Sequence, residues 1–91
     1  MTNPDTLMWE VRAAPGRREE LVNWVEDIVM PEILALPPGP LTADVYTGED
    51  HVVLIVRCTV QPTLPAPPPE LIARSPEQWP FRRIGGHQRG S

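Results

Sequence analysis

Few side chains in this sequence are equipped for catalysis or ligand binding. They are His51, Cys58, the tryptophans Trp9, Trp24 and Trp79, and the pair Arg82–Arg83. Histidine titrates near neutrality, so His51 could serve as an acid or base. The sequence places no orienting partner for it, which makes an exposed strand-end residue the competing reading. Cys58 as a nucleophile would need a nearby base and an electropositive setting. It falls instead on an apolar strand face, where a buried, inert thiol is expected. A metal site is not expected. His51 and Cys58 lie on opposite faces of one strand, roughly 23 Å apart, and closed sites need three or four converging ligands. Trp9, Trp24 and Trp79 could form the aromatic walls of a pocket for a flat ligand, or they could simply be the largest core residues available. Arg82 and Arg83 alternate across a strand, so only one can face inward. That one could hold a carboxylate or phosphate, or it could be solvated or salt-bridged. His51 and Arg83 are therefore the candidate polar handles of any site.

Composition narrows the partners. The chain has 91 residues and a net charge of -4, against what phosphate binding requires, so no nucleic acid is expected. Its eight basic residues are all arginine. Guanidinium groups suit carboxylate recognition, but a GC-rich bacterial coding sequence gives the same bias along with many Pro and Ala. Cys58 is the single cysteine, so no internal disulfide forms. The N-terminus lacks a basic and an apolar region, so no signal peptide is read. No apolar run has the length of a membrane span, so no membrane association is expected. These readings point to a cytoplasmic protein.

The elements that would position these residues follow from periodicity. Residues 7–13 alternate as a strand, with Leu7, Trp9, Val11 and Ala13 on one face and Met8, Glu10 and Arg12 on the other. Ala14-Pro15-Gly16 breaks it. Residues 17–30 are expected to be helical, with Leu21, Trp24, Val25 and Ile28 as the apolar stripe. Pro31 is expected to end or kink that helix, or to start a short second turn over 32–36. Residues 41–47 and 51–60 make a hairpin. An even loop sets Val45 against Leu54, Ala43 against Val56 and Leu41 against Cys58, an all-apolar face. The run from His51 to Val60 is apolar on both faces, so two covers are needed. Tyr46, Val53, Ile55 and Met8 would be left exposed on a single chain, interleaved with Glu10, Arg12, Asp44 and Arg57, which could pair across strands or across a dimer. Five prolines in residues 61–69 predict a rigid connection or, as the alternative, a ligand for a proline-recognition module. A helical stub over 69–74 and a last edge strand over 79–84 complete the chain.

The order is β-α-β-β-(short α)-β, an α+β, ferredoxin-like antiparallel sheet in one domain, residues 1–91, with residues 1–6 and 85–91 as flexible tails. With Trp9-Glu-Val-Arg on the first strand and Ala14-Pro15-Gly16-Arg17-Arg18-Glu19-Glu20-Leu21 opening the helix, the chain resembles the dimeric α+β barrel superfamily. The closest resemblance is to small antibiotic-biosynthesis-monooxygenase-like proteins. It covers residues 7–60. It implies a homodimer through the sheet face, a pocket between helix and sheet, and, in enzymatic members, oxidation of an aromatic or polyphenolic compound with no cofactor. The chain departs from that pattern where the second helix should stand: residues 61–84 hold the proline run and no pocket-facing His or Asn. Two functions stay open. One is a small-molecule-binding, cofactor-independent monooxygenase-like protein. The other is a non-enzymatic interaction or regulatory subunit.

Overall fold

The computed structural model describes residues 4–90. It is an α+β unit in which one helical rod lies across an open, four-stranded antiparallel sheet. β1 (Thr6–Arg12), β2 (Thr42–Thr47), β3 (His51–Arg57) and β4 (Glu77–Phe81) are ordered β2-β3-β1-β4. Strict two-residue alternation makes β1 and β3 strands with one buried face each: Leu7, Trp9 and Val11 on β1, and Val52, Leu54 and Val56 on β3. The expected hairpin pairs Val45–Leu54 and Ala43–Val56 are formed. Leu41 lies outside β2 and is exposed, so the third expected pair does not extend the strand.

Asp5 and Thr6 correct the expectation of a tail through residue 6. Thr6 opens β1, and the Asp5 backbone bonds to Phe81 and to Cys58. Residues 1–3 of that expected tail, and residue 91 of the other, lie outside the described residues. Residues 85–90 carry no regular structure.

After β1, Gly16 turns the chain with φ at +75°, a conformation that glycine reaches without steric cost. The rod then runs as α1 (Arg18–Trp24), a π-helical turn (Val25–Val29) and α2 (Met30–Leu34). The backbone stays helical at both junctions, with φ −62° and ψ −47° at Val25 and φ −62° and ψ −49° at Met30. The helix does not end at Pro31; the proline stands in the first turn of α2, as the alternative of a short second turn expects. A proline inside a helix lacks a donor and crowds the carbonyl one turn back, and the wider π turn directly ahead of Pro31 relieves both problems.

The same turn explains a second correction. The buried stripe is Leu21, Val25, Val29 and Ile33, while Ile28 is 49% exposed. A four-residue step on a 3.6-residue turn drifts by about 40°, or about 120° over three steps. Unwinding to i→i+5 bonds takes back much of that drift and keeps Ile33 on the sheet.

The expected helical stub is shorter than foreseen, a single 3-10 turn at Pro69–Leu71. The segment before it runs without regular structure, because four prolines remove the donors a helix needs. It serves as a strap: Pro67 and Leu71 are buried, and Leu64 and Ile72 pack against the core. Backbone bonds from Ala14 to Leu71 and from Ala73 to Arg12 sew its end to β1. This strap takes the place of a second helix on the covered face. No helix among the described residues is long and apolar enough to cross a membrane.

Candidate functional site

The rod and strap seal one face of the sheet with apolar side chains, and among the described residues no polar or charged one is buried. The other face has no cover. The register sets three cross-strand rows on it: Thr42–Arg57–Thr6–Phe81, Asp44–Ile55–Met8–Trp79 and Tyr46–Val53–Glu10–Glu77. Ile55, Met8 and Val53 are half-buried, and Trp79, Phe81 and Tyr46 are 38%, 49% and 56% exposed. Scattered apolar residues on a surface are ordinary, whereas these lie side by side across adjacent strands.

Three charges on this face are unmet among the described residues: Glu10, Arg57 and, on the edge strand, Asp44. Glu10 stands directly opposite Glu77, a like-charge pair that costs stability. Glu77 has Arg74 at 3.7 Å, whereas Glu10 makes no ion pair or hydrogen bond among the described residues. Arg57 sits between Thr42 and Thr6 and likewise has no direct partner among them, although its charge reaches Asp5. Of the two pairings open to these interleaved charges, across strands or across a dimer, the first is not formed by Glu10, Asp44 or Arg57 among the described residues. Arg12 does pair, but with the turn residue Asp50 at 2.8 Å.

At the Arg57 end of the face lies a cleft of about 270 Å³, with Met8, Ile55 and Phe81 as its apolar wall and Arg57, Arg82 and Arg83 around it. The Arg83 backbone N–H donates to the Asp5 carboxylate at 2.8 Å, and the Thr6 hydroxyl donates to the same oxygen at 3.0 Å. The bond from Arg83, then that from Thr6 and the Arg57 charge, hold the Asp5 carboxyl below its ordinary value against a desolvation that opposes them.

His51 closes the hairpin at the opposite end. Its ring lies over Gly48, where an added Cβ would come within 2.7 Å of the imidazole and displace it. The Asp50 carboxylate meets His51 Nδ1 at 2.9 Å, an orienting partner supplied by the neighbouring residue. That hydrogen bond, backed by the Arg12 charge, lowers the Asp50 pKa against desolvation. Arg18 pins the turn by donating to the carbonyls of Gly48 and Glu49 at 3.0 and 3.3 Å. Arg12, Asp50 and His51 thus form an exposed cluster that rivets the turn in place.

The three tryptophans do not share a space. Trp9 is buried in the core, Trp24 packs against its margin, and Trp79 points from the opposite face of the sheet. Alternation dictates this outcome, because Trp79 pairs with Met8 and not with Trp9. None of the clefts described here has a tryptophan in its wall. His51 and Arg83 are set at opposite ends of the sheet, so they do not converge either. Cys58 is buried, with Gln61 Nε2 donating to its Sγ at 3.6 Å, and burial followed by the Asp5 charge raises its pKa. It floors a second, apolar cleft of about 240 Å³ between Ile33, Leu36, Pro37 and Pro62. His51 and Cys58 diverge, and among the described residues no three metal-ligating side chains gather.

Arg57 was not singled out as a site residue by sequence reasoning. The signal was present: Val53, Ile55 and Arg57 step by two along one face, ending in a cation that the hairpin register leaves without an acid. No family model, curated protein or solved structure matches the chain.

Proposed function

We propose that the protein is a non-enzymatic interaction module that acts as a homodimer, two copies packing by the uncovered faces of their sheets. The observation that carries this reading is an unmet anion and an unmet cation, Glu10 and Arg57, set apart on one face. Glu10 and Arg57 lie on either side of the apolar Ile55–Met8 row. A two-fold axis laid across the strands along that row exchanges the outer rows. Each Arg57 then comes over the partner's Val53 and Glu10, and the apolar row meets its own copy. An axis along the strands would set the arginine row against itself. Like charges at an interface cost several kcal/mol, so the crossing axis wins. Asp44 faces its copy only at the solvent-exposed rim.

The size is adequate. Four strands about 4.8 Å apart and roughly 20 Å long offer about 400 Å² in projection, and side-chain relief brings that toward the ~800 Å² per partner of a standard interface. The strand order β2-β3-β1-β4 supports a ferredoxin-like arrangement, and the open apolar face supports its dimeric-barrel form. The monooxygenase-like reading draws less support, since the tryptophans meant to wall a pocket stand on both sides of the sheet.

Sedimentation velocity at micromolar concentration tests the dimer. The wild-type chain should sediment as a dimer. Val53→Arg, which sets a cation against the partner's Arg57, should weaken association more than tenfold. Val53→Glu, which offers that Arg57 an acid, should weaken it less. A wild-type chain that stays monomeric, or equal effects of the two substitutions, would overturn the reading.

A further inference from the structure

We infer that the cleft at the Arg57 end of the open face is a binding site for an amphipathic carboxylate of about the size of a medium-chain fatty acid or a phenylalkanoic acid. Met8, Ile55 and Phe81 give the cleft an apolar wall, and Arg57, Arg82 and Arg83 surround it. This combination selects a ligand with an apolar body and a planar anionic head. A guanidinium fork matches a carboxylate in two parallel hydrogen bonds. A space of about 270 Å³ equals the liquid volume of about nine waters at ~30 Å³ each, a size comparable to a short-to-medium carboxylate such as octanoate.

Arg57 is the group that makes the site specific. It is half-buried beside the apolar wall and has no hydrogen bond or ion pair among the described residues. A half-desolvated cation of this kind gains more from an incoming anion than a fully solvated one does. The acid nearest to it, Asp5, is committed to the Arg83 backbone and the Thr6 hydroxyl. It lowers the local positive potential without occupying the fork. Desolvation of the ligand's chain against Met8, Ile55 and Phe81 adds an apolar contribution of about 25 cal/mol per Å² buried.

One consequence rests on the homodimer reading. In that dimer Arg57 is met by the partner's Glu10 and Val53, so a carboxylate in the cleft and a second copy are alternatives. Ligand binding then shifts the chain toward monomer by mass action.

The test uses octanoate below its micellar concentration, with octanol and octylammonium as controls, followed by calorimetry on the Val53→Arg chain. Octanoate should bind one per chain, with both controls at least tenfold weaker. Adding Arg57→Gln to the same background should weaken octanoate at least tenfold while leaving the thermal midpoint of the free chain within a few degrees. Should Val53→Arg fold poorly, the wild-type chain at dilution replaces it. Octanol binding as tightly as octanoate, or unchanged octanoate binding by Arg57→Gln, would overturn the site. On the wild-type chain, octanoate should raise the monomer share in sedimentation. Octanoate that binds through Arg57 and leaves a dimer undisturbed would overturn the competition alone. A chain monomeric at every concentration would sink the dimer and leave Arg57-dependent binding as the measure of the site.

Discussion

β3 has two faces, and they obey different rules. Val52, Leu54 and Val56 point under the rod and strap and are fully buried. Val53, Ile55 and Arg57 point the other way and are half-buried. The covered face tolerates no polar group. The open face alternates apolar residues with charges, three of which, Glu10, Asp44 and Arg57, have no partner among the described residues. A core buries apolar area and gains nothing from a lone charge, whereas a contact surface uses charge to choose its partner and register. On the proposed reading, one side of this sheet makes the fold and the other makes its associations.

The largest expected effect tests the covered side. Leu54→Ala removes a fully buried side chain from the middle of the central pairing and should cost about 2–5 kcal/mol in chemical denaturation. Ile55→Ala, one residue along, should cost about 1 kcal/mol or less in the monomeric Val53→Arg background. In the wild-type chain its effect should appear in the association constant. Equal costs for the two substitutions in the monomer would erase the distinction between the faces.

An intermediate effect probes the strap. Leu71 is buried at the single 3-10 turn, and the backbone around it is bonded to β1. Leu71→Ala should therefore cost about 2–3 kcal/mol, toward the lower end of the range for buried leucines, because an irregular segment relaxes around the gap better than a strand does. Amide exchange should separate the same two cases, with β3 amides the slowest and the amides of residues 61–68 the fastest. A cost near zero at Leu71 would mean that the strap covers the core without stabilising it.

The strands were legible because a two-residue period depends on nothing beyond the strand itself. Val45–Leu54 and Ala43–Val56 follow from the alternation and an even loop. The rod was harder to read. Assigning Ile28 to the buried stripe assumes 3.6 residues per turn throughout, and the π turn before Pro31 changes the count midway. The strap was read as a connection, and its covering role depends on Leu64, Pro67 and Leu71 meeting residues distant in sequence. The site was least legible. The abundance of tryptophan drew attention to Trp9, Trp24 and Trp79, yet pairing Trp79 with Met8 moves it to the other face. The charged residues of the open face were visible in the sequence. Which of them lacked a partner was not, because Arg12 finds its acid in a turn and Arg57 finds none.

The smallest effect concerns the two carboxylates at the ends of the open face. Asp5 at one end and Asp50 at the other both have pKa values lowered from the ordinary 3.8. The causes are the Arg83 backbone N–H at Asp5 and the His51 hydrogen bond at Asp50. A lowered folded pKa means that the unfolded chain binds the proton more readily. Each group therefore stabilises the fold fully above 3.8 and loses that contribution as pH falls through its folded value. Both groups are exposed, so the effect is modest and screened by salt. Thermal midpoints measured between about pH 5 and pH 2 should fall more steeply for the wild-type chain than for Asp5→Asn or Asp50→Asn. The Asp5→Asn chain should also bind octanoate somewhat more tightly near neutral pH, because the anion nearest Arg57 is gone. Asp50→Asn, at the far end, should leave that binding unchanged. An equal response of octanoate binding to the two substitutions would show that the charge near Arg57 acts on the whole face and not on the cleft.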